Sequence, residues 1–245
     1  MKEYLEKIYR KRKEDFYQEI EQRLIKSEKT FIVTANPEIL TIGDRDKEFD
    51  KILLDENTTI IPDGIGVIKG AEMFGIHLPE RITGVELTTE FIRLCDKYHK
   101  SMYLFGATKE VINKMKILIE QKYSGINLIG AQNGYVEDKN AIMEDMKMKN
   151  PDVVLVALGV PMQEKLIYEH LKDFDKGIFV GVGGSFDVIS GSKKRAPKIF
   201  LKLNLEWLYR IAFSPARWKR FYEGNIKYIF KLKKEAKKEK EKGRK

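Results

Sequence analysis

The chain has 245 residues, a net charge of +9, one cysteine and three histidines. That length holds one α/β domain with an appendage, the lone Cys95 excludes an internal disulfide, and no apolar run approaches the roughly 20 residues that span a bilayer. His77, His99 and His170 fall at no metal-ligand spacing, and Met1 to Arg12 is charged where a signal peptide would be apolar, so a cytoplasmic protein without a metal site is expected.

Residues 1 to about 27 read as one charged amphipathic helix, with Leu5, Ile8, Phe16, Ile20 and Leu24 recurring three, four or eight apart. Thr30 to Ala35 is the first strand. It runs into Asn36-Pro37-Glu38, where Asn36 suits a helix N-cap and Pro37 the first helical position. Asn36 is thus either a cap or a ligand-facing amide. Thr34 has the plainer explanation of a β-branched strand residue.

Thr58 to Ile61 is the next buried strand, and Pro62-Asp63-Gly64-Ile65-Gly66 follows it into a helix that ends near Gly75. Asp63 therefore sits where a strand hands over to a helix, the edge at which parallel sheets bind ligands. A carboxylate there can take a proton from a substrate hydroxyl. Asp-Gly is equally a common turn pair. Leu78 to Leu87 is a loop leading into a helix through about Tyr98. Within it, Arg81 either pairs with Glu80 or Glu86 at the surface or grips a phosphate or carboxylate through its planar fork.

Met102 to Phe105 is a strand, Gly106-Ala107-Thr108 a small-residue turn, and Lys109 to Tyr123 a helix. Asn127 to Ala131 and Asp138 to Lys149 repeat the strand and helix. Val153 to Leu158 is the most apolar strand and leads into Gly159-Val160-Pro161-Met162-Gln163-Glu164. Glu164 is an acid in a first helical turn, which the helix dipole favours. Gln163 has no such explanation, and its amide could bind a sugar hydroxyl or a base. The last strand, Gly177 to Val182, opens into Gly183-Gly184-Ser185. The dinucleotide fingerprint G-x-G-x-x-G is missing there, which argues against a dehydrogenase. Six strands alternating with helices predict a Rossmann-like, mainly parallel sheet covered on both faces.

From Lys193 onward there are 19 Lys and Arg against 5 acids, a balance of +14. The preceding 192 residues hold 27 basic and 32 acidic residues, a balance of −5. A mildly acidic body, residues 1–195, thus carries a basic appendage, residues 196–245. Two tail helices are expected, about Lys198 to Phe213 and Ala216 to Lys233, with a frayed Lys/Glu end. Their aromatic residues, Trp207, Tyr209, Trp218, Phe221 and Tyr222, suit an anionic membrane surface. The alternatives are a helix pair packed on the body with a solvated basic face, and a basic nucleic-acid-binding module.

Seven motifs occur in order: Thr34-Ala35-Asn36-Pro37-Glu38, Pro62-Asp63-Gly64-Ile65-Gly66, Glu80-Arg81-Ile82-Thr83-Gly84, Leu158 to Glu164, Gly181 to Asp187, Arg195-Ala196-Pro197 and Leu205 to Arg210. Together they resemble the WecG/TagA/CpsF glycosyltransferases, glycosyltransferase family 26, over about residues 30 to 222. The resemblance implies an inverting transferase that needs no metal and no cofactor. It would act at the cytoplasmic membrane face in cell-surface polymer synthesis of the teichoic acid type. The implied donor is UDP-N-acetylmannosamine, or a relative such as its uronic acid. The implied acceptor is N-acetylglucosamine on a polyprenyl diphosphate. Asp63 matches the family's proposed base, and Thr34, Asn36, Arg81 and Gln163 match its active-site positions. Arg210, Arg217 and Arg220 match arginines of an appendage thought to touch the membrane and close the site. No nucleic-acid partner is implied, and a second copy of the chain is a candidate partner. One departure stands out: residues 1 to 29 lack the short strand expected before the first helix.

Overall fold

The computed structural model describes residues 1–197, 199–200, 208 and 222–242. Strands β1 (Thr30–Ala35), β2 (Thr58–Pro62), β3 (Ser101–Gly106), β4 (Asn127–Gln132), β5 (Val153–Ala157) and β6 (Ile178–Gly181) form one sheet in the order β2-β1-β6-β5-β3-β4. Every pairing is parallel. The six expected strands are these six, within two residues at each end; five are apolar runs rich in β-branched or aromatic residues and buried along almost their whole length, while β4, at the sheet edge, is only half-buried.

Alternation along the strands divides the core in two. Phe31, Val33, Ile60, Phe105, Val156 and Phe179 face one side. Ile32, Ile61, Leu104, Leu155, Ile178 and Val180 face the other. On the first side pack α1 (Lys2–Lys7), α3 (Pro37–Gly43), α4 (Lys47–Leu54), α5 (Ile65–Glu72), α8 (Lys139–Lys149) and α9 (Met162–His170). On the second pack α2 (Lys13–Ile25), α6 (Gly84–Lys97), α7 (Lys109–Lys122) and α10 (Ser185–Ile189).

The N-terminal segment departs from the single helix that its spacing predicts. The chain is extended from Ile8, which bridges Ile60 in parallel, and Tyr9 donates its N–H to the Ile60 carbonyl at 2.8 Å. Tyr4, Leu5 and Ile8 then serve the first core, while Phe16, Ile20 and Leu24 serve the second. A continuous helix could not cross the sheet edge to reach both. The Ile8 bridge is a rudiment of the edge strand that the sequence did not show.

The C-terminal end also differs from expectation. A π-helical turn, Tyr222–Ile226, leads into α11 (Lys227–Lys242), which is helical well past Lys233. Tyr228, Leu232 and Ala236, four residues apart, are buried against the first-side helices. Gly70 of α5 makes room for them: a Cβ there would stand 2.6 Å from Leu232 Cδ1 and would collide with the Tyr228 hydroxyl. Burying Leu232 alone contributes about 2 kcal/mol. Lys2–Glu239 and Lys231–Asp44 ion pairs border the seat; exposed pairs of this kind add little. For α11, packing on the body is therefore realised. Of the expected helix at 198–213, residues 199, 200 and 208 are described and are helical; the rest of it, the start of the next at Ala216, and Arg210, Arg217 and Arg220 lie outside the described residues.

Candidate active site

The C-terminal ends of β2, β1 and β6 bring most of the candidate residues to one rim. At its edge, Asp63 follows β2 directly and donates its backbone N–H to the Ala35 carbonyl at 2.8 Å, so the turn after β2 is tied to the end of β1. Its side chain is half-buried. Asn36, the next residue along β1, caps α3 through its Oδ1, which accepts the Ile39 N–H at 3.0 Å. The cap expected of Asn36 is thus present. Asn36 also abuts the Asp63 turn, since a Cβ on Gly64 would lie 3.5 Å from its Cβ.

The loop that carries Arg81 is held to the same edge. Ile82 donates its N–H to the Pro62 carbonyl at 2.7 Å, placing half-buried Arg81 one residue from the β2 terminus. Glu80 accepts the Lys13 N–H at 3.1 Å. Glu86 closes a capping box with Thr83 at the start of α6 and faces Arg195 at 3.8 Å. Gly84 of that helix packs on the loop after β6, within 3.2 Å of Ser185 Oγ as measured from an added Cβ. Thr34 is buried, and its hydroxyl donates to the Gly181 carbonyl at 3.3 Å, bridging β1 and β6.

Gln163 sits beneath this rim, 1% exposed. Its Oε1 accepts the backbone N–H groups of Gly159 and Gly183, both at 3.1 Å. Its Nε2 donates to Glu164 Oε1 at 2.7 Å. The structural explanation that the sequence withheld is therefore available: Gln163 joins the loops after β5 and β6. Glu164 is fully buried, and its Oε2 has no hydrogen-bond partner among the described residues. Burial pushes its carboxyl up to about 7, with the negative charge of Glu38 acting in the same direction.

The C-terminal segment reaches the rim as well. A Cβ on Gly224 would lie 3.1 Å from Glu38, and one on Gly66 would lie 2.7 Å from Pro37 Cγ and 4.0 Å from Asn225 Oδ1. Asn225 is thus a rim residue that sequence reasoning did not single out. No local pattern marks it, because its neighbours are about 160 and 190 positions away.

Two other acidic groups lie elsewhere. Asp44 and Asp46, which share the spacing of a metal-binding pair, sit between α3 and α4: Asp44 pairs with Lys231, and Asp46 caps α4 and pairs with Lys165. Glu144, His170 and Asp173 bring ligand atoms within 4.8 Å of one another. Histidine spacing gave no sign of that grouping, because it assembles from α8 and the end of α9. It lies at the end of α9 opposite the Gln163 turn. Among the described residues, no helix is long and apolar enough to cross a membrane.

The rim combines a half-buried carboxylate, a capping amide, an arginine and a glycine-lined floor, a set that can receive a polar substrate and take a proton from it. The sequence profile of the glycosyl transferase WecG/TagA/CpsF family matches residues 6–242. The chain is 41% identical over 189 residues to an N-acetylglucosaminyldiphosphoundecaprenol N-acetyl-beta-D-mannosaminyltransferase of Bacillus subtilis, covering 77% of this chain and 73% of the relative. It is 36% identical over 200 residues to a protein of the same name in Staphylococcus aureus, covering 81% and 76%.

Proposed function

This chain belongs to the WecG/TagA/CpsF family of glycosyl transferases, and from that premise we propose that it moves N-acetylmannosamine from UDP to N-acetylglucosamine on a polyprenyl diphosphate. The product would enter a cell-surface polymer of the teichoic acid type. The names of the relatives support the transferred sugar and the acceptor.

The observation that carries the mechanism is the position of Asp63, at the strand terminus that the Arg81 loop and the Asn36 turn both adjoin. In the proposed reaction its carboxylate accepts the proton of the acceptor hydroxyl as that oxygen attacks the anomeric carbon. The bond to UDP breaks, its electron pair leaves with the diphosphate, and the anomeric centre inverts. A single base suffices for such a displacement. Arg81 and Asn36 bind sugar or phosphate oxygens, and Thr34 and Gln163 hold the floor.

The departing diphosphate needs cationic stabilisation. Asp44 and Asp46 are committed to helix capping and to lysines, so we assign the task to Arg210, Arg217 and Arg220, whose planar forks suit phosphate, rather than to a metal. Residues 196–245 then act as an appendage to a catalytic body of residues 1–195. Phe230 is 70% exposed on α11 beside Ile229 and a run of lysines, which supports a peripheral position on the inner membrane face.

The test supplies UDP-N-acetylmannosamine, its uronic acid and UDP-N-acetylglucosamine in parallel, with a lipid-diphosphate N-acetylglucosamine analogue and excess chelator. A β-linked disaccharide from the first donor alone is expected. Dependence on added divalent metal would overturn the arginine assignment, and transfer from none of the donors would overturn the function.

A further inference from the structure

The deepest charged group in the described molecule is Glu164, and the transfer mechanism does not use it. It lies 0% exposed in the first turn of α9, under the glycine-lined floor of the rim. A Cβ on Gly181 would stand 2.6 Å from Gln163 Nε2 and 2.8 Å from Glu164 Oε1, so β6 carries a glycine where these two side chains press against it. A buried carboxyl is costly unless it is hydrogen-bonded, and Glu164 has one oxygen bonded and one without a partner among the described residues.

What depends on it is the orientation of Gln163. The Gln163 carboxamide must turn its oxygen toward the N–H groups of Gly159 and Gly183, since its NH2 in that place would oppose two donors. The NH2 is then directed into the interior, where it needs an acceptor. Glu164 Oε1 is that acceptor at 2.7 Å. Gly159 and Gly183 both have positive φ, 82° and 49°, and a Cβ at either would meet nothing within 4 Å, so these two loop positions border open space at the rim.

We propose that Glu164 is a positioning residue of the transfer site: by accepting from Gln163 it fixes the amide that locks the loops after β5 and β6 into the geometry the substrate meets. This rests on the function proposed above for the site, but the lock itself can be read without turnover. Burial holds the carboxyl up to about 7, so glutamine at 164 is close in shape and charge to the protonated acid and retains the acceptor oxygen.

The experiment compares wild type with Glu164→Gln, Glu164→Met, Gln163→Ala and the double variant Gln163→Ala/Glu164→Met. Amide exchange is measured at Gly159 and Gly183, with steady-state kinetics alongside. Wild type and Glu164→Gln should keep both amides protected, with kcat within about threefold of each other. Glu164→Met should release both amides and lower kcat by about 100-fold, the scale of a small misplacement of reacting groups, with KM nearly unchanged. Gln163→Ala should release the same amides, and adding Glu164→Met to it should change kcat no further, because both act through one contact. Protected amides and normal kcat in Glu164→Met would overturn the proposal. So would a Glu164→Met effect as large in the Gln163→Ala background as in wild type. If no donor supports transfer, the function fails, and the exchange pattern still decides the lock.

Discussion

Glu164 makes a prediction about stability that is separate from turnover. Its carboxyl is raised to about 7 in the folded protein from an ordinary value of 4.5, by burial first and by Glu38 in addition. Between those values the folded state holds a proton that the unfolded chain releases. The contribution of Glu164 to stability is therefore fully present below pH 4.5, falls as pH rises toward 7, and stays lower above it. The penalty reaches about 3 kcal/mol. Glu164→Gln cannot ionise, so its melting temperature should gain on the wild type by several degrees between pH 4.5 and pH 8; parallel melting curves across that range would contradict the assignment. At this scale the sequence was unevenly legible. Asn36 announces its cap because the partner, Ile39, is three residues on. Gln163 does not announce its role, because Gly183 is 20 positions away and joins it only when β5 and β6 pair.

Among the elements, five strands were readable because they are almost wholly buried and need no knowledge of their neighbours; β4, half-buried at the sheet edge, carries a weaker signal. The single N-terminal helix was not realised because the interval of eight from Ile8 to Phe16, which the spacing pattern bridges, is where the chain leaves the helix to skirt the sheet edge. Composition marked the part of α11 beyond Lys233 as a fraying end. Tyr228, Leu232 and Ala236 form a stripe only one residue wide, and its seat is the groove over Gly70. Two substitutions test that seat. Gly70→Leu should expel Tyr228 and Leu232 and expose the α11 amides to exchange, while the strand amides stay protected. Tyr228→Phe should leave α11 docked and be neutral or stabilising by up to about 1 kcal/mol, since the buried hydroxyl has no partner among the described residues. Continued protection of α11 in Gly70→Leu would show that the helix is not held by this groove.

For the molecule as a whole, the order β2-β1-β6-β5-β3-β4 gathers the turns after β1, β2 and β6 at one edge, which explains why motifs scattered from residue 34 to residue 187 belong to one rim. The charge asymmetry of the chain acquires a place in space as well: the basic C-terminal helix lies along α3 and α5, the two helices that begin beside Asn36 and Asp63. The family could be read from the order of the motifs, and the sheet from periodicity. The resemblance implied an appendage closing on the site, but that Gly224 and Asn225 are the residues meeting Glu38 and Gly66 could not be read, since neither side of that contact carries a local signal. The most direct measurement is the transfer rate of Asp63→Asn, made together with its melting temperature and its UDP affinity. A folded variant that binds UDP as the wild type does and turns over at least about 1,000-fold more slowly is the predicted result, within the range expected for loss of a general base. A folded Asp63→Asn enzyme with near-normal turnover would contradict the role of Asp63 as the base.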